Sequence, residues 1–355
     1  MQANVKQAYF AGSNSAAGFV SYFPAVFCAE QVSRVYIVKG GPGTGKSRFL
    51  GEVANAARQK EYEITYYYCG SDPLSLDGIL LSRQGQGSIA LLDGTPPHVI
   101  EPLLPGVRDT LVNLGDFWNR RELADAGRRI RILCGYKQAC FDRAYEYLHT
   151  AGKLLDIRDG LIAPCTDHVR LQSAARKLAR LMPGGREYSE QIGLCDSIGM
   201  RGGVRFDTYA ALASQLIVFV PFYGLEFVMM DALCALAEQK GCRVWRAPHH
   251  LRTGKTDTLY FPENGLCITT AAPTAPVTAE VKRYDLRRFC HPDALRGVRG
   301  EARIAGKMAQ SALQAAGDSF ARAGEYHFEL ESIYAGAMDF GAKERFTATF
   351  CNAVL

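Results

Sequence analysis

Residues 35–47 read Val-Tyr-Ile-Val-Lys-Gly-Gly-Pro-Gly-Thr-Gly-Lys-Ser, and no other stretch restricts the fold as much. They satisfy the spacing G-x-x-x-x-G-K-[ST] at Gly40, Gly45, Lys46 and Ser47. The β-branched and aromatic run 35–38 suits a buried parallel strand. From Ser47 onward, Phe49, Leu50, Val53, Ala54 and Ala57 recur at helical spacing. A strand, a glycine loop and a helix therefore follow one another. Glycines let such a loop bend so that its N–H groups point at a polyphosphate, and the helix start adds a positive dipole end. The residue types assign Gly40, Gly41, Pro42, Gly43, Thr44 and Gly45 to nucleotide phosphates. Lys46 is assigned to the β- and γ-phosphates and Ser47 to Mg²⁺.

Ser88-Ile-Ala-Leu-Leu-Asp93 is an apolar strand ending in an acid. An acid at the carboxyl end of a strand beside such a loop can hold Mg²⁺, so Asp93 joins Ser47 as a candidate metal ligand. Gly94 stands where many ATPases carry the glutamate that activates water. Candidates to position water or a substrate hydroxyl are His98, Glu101 and Asp72, which follows the strand-like run 63–68. Asp72 before Pro73 also fits an Asx turn, and His98 also fits a satisfied loop histidine.

The pattern then repeats. With Gln59-Lys60 set over Gln239-Lys240, residues 34–68 lie over a strand, loop, helix and strand that begin at Ser214. Residues 89–98 lie over 266–275, 10–23 over 195–207, and 113–117 over 285–289. In this register Gly40 becomes Val220, Gly45 becomes Leu225, Lys46 becomes Glu226, Ser47 becomes Phe227 and Asp93 becomes Thr270. A glutamate in place of the phosphate-binding lysine repels a nucleotide, so the second unit is expected to lack this chemistry. Gly254-Lys255-Thr256 only imitates the motif's end. Arg252 and Lys255 are expected to be surface charges, the sharper alternative being a cation that reaches the intact loop.

Each copy continues into helical material. Cys140, Ala144, Tyr147, Leu148, Ala151 and Leu155 form one stripe. Leu171, Ala174, Ala175, Leu178 and Leu181 form another, with Ile304, Met308, Leu313 and Phe320 expected in the second copy. Pro183-Gly-Gly185 marks a boundary between units 1–185 and 186–355. The fold expected is α/β, with two P-loop NTPase-like three-layer α/β/α units, mostly parallel sheets and added helices.

The chain's 355 residues, 48% hydrophobic and 22% charged, suffice for two cores and exclude a disordered or fibrous chain. A formal charge of +5 argues for neither nucleic acid nor an anionic membrane as partner, and the cluster Arg120, Arg121, Arg128, Arg129, Arg131 reads as a solvated helix face. Eleven scattered cysteines without C-x-x-C read as reduced thiols in a cytoplasmic protein, and Cys165-Thr-Asp-His168 is at most half a metal site. The apolar run 16–28 is broken by Pro24 and is not read as a signal peptide. No uninterrupted apolar run reaches membrane-span length.

The segments FAGSNSAAGF (10–19), GGPGTGKS (40–47), CGSDPLSLDG (69–78), ALLDGTPPHVIEPLLPG (90–106), NLGDFW (113–118) and HFELESIYAGAMDF (327–340) resemble a family of bacterial P-loop ATPases of tandem architecture. The resemblance implies nucleotide binding and hydrolysis. Members carry an intact loop in both halves, and this chain departs from them at 220–227, which removes a two-site mechanism. The expected activity is Mg-dependent ATP hydrolysis coupled to a conformational change. A small-molecule or nucleotide kinase with Asp72 as base, or a non-hydrolysing nucleotide-gated module, are the alternatives, each with a protein or small-molecule partner that the sequence does not specify.

Overall fold

The computed structural model describes residues 7–355. Its first half runs β1 (Gln7–Phe10), a hairpin of β2 (Gly12–Ser15) and β3 (Gly18–Ser21), α1 (Phe23–Phe27), β4 (Val32–Lys39), α2 (Lys46–Gln59), β5 (Glu63–Tyr68), β6 (Leu76–Ser82), β7 (Ser88–Asp93) and β8 (Asp109–Asn113). The helices α3 (Arg120–Asp125), α4 (Gly127–Ile162) and α5 (His168–Ala179) follow. The second half repeats the order with β9 (Ser189–Ile192), the hairpin β10 (Asp196–Gly199) and β11 (Gly202–Arg205), α6 (Thr208–Leu212), β12 (Gln215–Val220) and α7 (Leu225–Gln239). It closes with β13 (Arg243–Pro248), β14 (Thr256–Phe261), β15 (Leu266–Thr269), β16 (Glu280–Asp285), α8 (Pro292–Gly336) and α9 (Phe340–Val354).

The two six-stranded sheets are copies. The first has the order β1-β5-β6-β7-β4-β8 and the second β9-β13-β14-β15-β12-β16. In each, one strand (β6 or β14) runs antiparallel to both neighbours, and every other pairing is parallel. Even a register irregularity recurs, at Tyr67/Tyr68 and at Ala247/Pro248. The architecture is thus α/β with two mixed, mostly parallel sheets.

Strand pairing refines the repeat at one place. Lys39 pairs with Asn113 and Val220 with Asp285, so Val220 is the counterpart of Lys39 rather than of Gly40. The connection from strand to helix spans 40–45 in the first half but only 221–224 in the second. At the helix end the shift is the opposite one: α7 starts one residue early, so Gly224 is the counterpart of Gly45, and Leu225 and Glu226 stand where Lys46 and Ser47 do, a correction to the gapless overlay.

The halves interlock through reciprocal contacts. Phe10 and Leu194 exchange backbone hydrogen bonds of 2.9 and 3.2 Å where the two copies meet. Each hairpin tip docks on the other half: Ala16 N–H donates to the Leu251 carbonyl (2.9 Å), and Met200 N–H donates to the Ser71 carbonyl (2.8 Å). The helix starts are tied in the same crossed fashion, Asn119 N–H to the Ala337 carbonyl and His291 N–H to the Cys165 carbonyl. Such pairs amount to a two-fold pseudo-symmetry within one chain.

Packing crosses residue 185. Leu171, Ala175 and Leu178 of α5 share a core with Met229 and Leu233 of α7 and with Ile217 and Phe219 of β12. Phe350 and Val354 of α9 share a core with Val38, Leu50, Ile79 and Leu91 of the first half. The long helices α4 and α8 lie together through small residues, Ala144 and Ala151 against Ala312 and Ala316, with Leu148 and Phe320 filling the seam. Ile304 and Met308, expected inside, are more than half exposed, because the buried stripe of α8 is the alanine series 302, 305, 309, 312 and 316. Tyr147 and Leu181 likewise face solvent. Alanine lets two helix axes approach closely, which leaves no room between them for Ile304 and Met308. The apolar run 16–28 forms β3 and α1, with Phe23, Val26 and Phe27 buried. All eleven cysteines are unpaired, and among the described residues no helix is long and apolar enough to cross a membrane.

Candidate functional site

The loop 40–45 leaves β4, which lies between β7 and the edge strand β8, and enters α2 through Gly45, whose φ of 77° and ψ of 26° lie in the left-handed region. Gly40 and Gly43 are also at positive φ, 156° and 70°, values that side-chain-bearing residues rarely adopt. At Gly43 a Cβ would lie 2.2 Å from the carbonyl oxygen of Glu331. The last turns of α8 therefore sit directly on the loop. Lys46 folds back over it, its ammonium donating to the carbonyls of Gly40 (2.9 Å) and Gly41 (2.8 Å) and lying 3.5 Å from Asp93 Oδ2. Thr44 Oγ1 donates to the Gly41 carbonyl (2.9 Å) and fixes the turn. Pro42 is the remaining residue of the turn.

Asp93 is buried at the carboxyl end of β7, beside β4. Its Oδ1 accepts from the Thr95 N–H (2.8 Å) and from the Thr95 hydroxyl, leaving Oδ2 toward Lys46. The Ser47 hydroxyl oxygen accepts from the Leu76 N–H (2.8 Å) and keeps a second lone pair. Magnesium bound with a nucleotide takes one or two oxygen ligands from protein, and this oxygen donor set fits it. Among the described residues no group of three or more His, Cys, Asp or Glu side chains is arranged as a metal cage.

The candidate bases are engaged elsewhere. His98 Nδ1 lies 2.9 Å from the Asp93 carbonyl and Nε2 lies 3.2 Å from Asp77 Oδ2, while the ring stacks on Phe23 at 4.2 Å. Both partners only accept, so the ring satisfies both as imidazolium. Burial opposes that charge, but Asp77 and Asp93 outweigh it and hold the His98 pKa above its ordinary value. Asp72 forms the Asx turn with Leu74 N–H (3.3 Å) and also accepts from Arg201 Nε at 2.6 Å. Glu101 pairs with Lys39 at 2.7 Å. Each of the three is thus held by a partner other than the 40–45 loop.

Several residues near the loop carry no motif. Arg201, on the β10–β11 hairpin tip, arrives from the second half, its guanidinium over the Phe328 ring at 4.8 Å. Lys137 of α4 stands close enough to Lys46 for repulsion to matter, and burial with that repulsion lowers its pKa. The indole N–H of Trp118, packed beside Gly41 with Tyr334, is buried and has no hydrogen-bond partner among the described residues. Asp77 is the cross-strand neighbour of Asp93. The sequence overlay could have shown Asp77, opposite Asp257; Lys137 and Trp118 are brought in by tertiary packing of the first half itself, and Arg201 by the interlocking of the halves.

The second half shows the same turn refilled. Gly224 caps α7 at φ 86°, but the carboxylate of Glu226 lies in the loop and accepts from the Phe222 N–H (2.8 Å). Thr270, the counterpart of Asp93, donates its hydroxyl to Asp257, which also faces Arg205. Arg252 is not a surface charge. It is buried, binds Asp159 at 2.6 Å and lies 4.8 Å over Phe227, within the second half's own loop region. Lys255 pairs with Asp231. Neither contacts the 40–47 loop. The arginine cluster of α3 and α4 is exposed, with Arg129 on Glu329.

Comparison with known proteins gives no match: no family model, curated protein or solved structure aligns with the chain.

Proposed function

We propose that the chain binds one Mg-ATP at loop 40–47 and hydrolyses it slowly, coupling turnover to movement between its interlocked halves. One observation carries this reading: the Lys46 ammonium lies between the loop carbonyls and Asp93, at the start of a helix capped by a left-handed glycine. A γ-phosphate would draw that ammonium off the carbonyls, which it holds only as stand-in acceptors. Ser47 and Asp93 would hold magnesium, which would neutralise charge developing on the phosphates. Trp118 N–H and Lys137 are further groups that phosphate oxygens would satisfy. Coupling follows from the placement of Glu331 on Gly43 and Arg201 on Asp72, since both partners come from the second half.

A nucleotide-gated switch without turnover is the second reading, favoured by the engagement of His98, Asp72 and Glu101. A kinase with Asp72 as base requires Arg201 to release it first. Phosphate release from Mg-ATP by the full chain, beside Lys46→Ala, tests the proposal. Release that Lys46→Ala abolishes supports hydrolysis. Tight binding with no release under any condition supports the switch, and release only with an added metabolite supports the kinase.

A further inference from the structure

A cleft of about 620 Å³ opens beside the second half's shortened loop, between residues 220–223 and α8. Its volume lies in the range of small-molecule sites. Arg299, Arg303 and Lys307 line one wall. They stand four residues apart on one helix, so successive heads are about 6 Å from one another along the axis. All three are exposed, and none forms an ion pair among the described residues. Arg158 and Arg287 complete the rim, each held by a neighbouring aspartate.

Glu226 is the single acid of the lining, and its carboxylate is spent on the Phe222 N–H inside the loop. Between Arg303 and Lys307 the helix surface is small at half-buried Gly306, with the Arg158 side chain beside it. Phe222 and Tyr223 offer aromatic faces on the opposite side, with ring centroids 4.9 Å apart. In the first half the crossed helix contacts make Gly127, Arg131 and Gly135 of α4 the counterparts of Arg299, Arg303 and Lys307, so only the middle cation of the three recurs at its place. Three uncompensated charges in one cleft are also a large part of a formal excess of only +5.

We propose that this cleft binds a small phosphate ester or anhydride bearing two or more negative charges. Its phosphates lie on Arg299, Arg303 and Lys307 and not in the 221–224 loop. Three cations spaced over two helical turns match several phosphoryl groups better than one. The proposal is independent of chemistry at 40–47, so it is tested where that loop is disabled. Tripolyphosphate is titrated calorimetrically into the full-length Lys46→Ala chain. One equivalent should bind, weakening as salt rises. Adding Arg299→Gln, Arg303→Gln and Lys307→Gln together should cost at least about tenfold in affinity. These side chains are exposed, so folding should survive, and single Arg303→Gln with a melting curve serves if the triple variant does not fold. Comparing pyrophosphate with ADP separates the sources: tighter ADP assigns the aromatic pair to a base, and equal affinity assigns recognition to the phosphates. The proposal falls if Lys46→Ala binds no tripolyphosphate, if the triple variant binds as well as its parent, or if a short single-stranded oligonucleotide binds more tightly.

Discussion

The two strand-to-helix turns, 40–45 and 221–224, sit at the same place in identical sheets and share a left-handed glycine at the helix entrance. One is wrapped by a lysine that faces an acid, and the other is plugged by a glutamate that takes its N–H. Backbone geometry has therefore been kept while the charge inside the turn was reversed. A helix start always favours an anion, and the two copies differ in whether that anion is brought by a ligand or by the chain itself. The same inversion recurs one loop away, where Asp72 in the first half answers to Arg252 in the second.

The largest expected effect tests this difference directly. Lys46→Ala should reduce phosphate release by about two orders of magnitude or more, since it removes a cation placed where charge develops. Glu226→Lys should restore nothing, because residue 226 stands where Ser47 does, its loop lacks the length of 40–45, and Thr270 stands where the strand-end acid Asp93 does. Two nucleotides per chain in an equilibrium titration of Glu226→Lys would break the comparison.

Next comes the buried arginine. Arg252→Met should destabilise the chain by about 3 kcal/mol, as it leaves Asp159 with only Arg158 and removes the cation over Phe227. Urea unfolding at neutral pH measures it, and a loss under about 1 kcal/mol would mean that this joint is solvated.

Much of this was legible beforehand. The strand, glycine turn and helix of 35–59, the strand ending at Asp93 and the repeat all rest on local spacing, and spacing survives without tertiary context. The buried side of α8 was not legible, because alanines score weakly beside Ile304 and Met308, although only alanines let α4 approach. Arg252 looked like a loop charge because its partner, Asp159, lies far away in sequence. The partners of loop 40–45 were hidden for the same reason. Arg201, Glu331 and Tyr334 reach it only because each half lends its hairpin and last helices to the other.

Acid should affect the halves in opposite senses. Burial, with the repulsion of Arg205 added, pushes His250 down to about 4 despite Asp257, and burial also lowers the pKa of His249. A histidine depressed below its unfolded value of about 6.5 costs nothing above that value and destabilises as pH falls from there toward the folded value, here by ~3 kcal/mol at most. His98, raised by Asp77, contributes stability that is complete below about 6.5 and is lost as pH rises through its folded pKa. Urea unfolding between pH about 7 and about 5 should therefore show stability falling, with the slope flattened by His250→Gln. An unchanged slope in that variant would assign the acid sensitivity to other groups.

The smallest effect is the most discriminating. Arg201 and Arg252 both join one half to the other through an aspartate at 2.6 Å, so distance alone predicts equal worth. Exposure separates them, at 41% for the Arg201 side chain against 8% for Arg252. A half-exposed guanidinium exchanges its carboxylate for water at little cost, and the ring of Phe328 beneath it adds only a fraction of a kcal/mol. Arg201→Met should thus lower stability by less than about 1 kcal/mol, a shift of roughly 2 °C or less in melting temperature for a chain of this size. A loss matching that of Arg252→Met would show the front joint to be as tightly sealed as the rear one. Hairpin and loop could then separate only with global unfolding, and nucleotide-driven movement between the halves would have no joint on which to act.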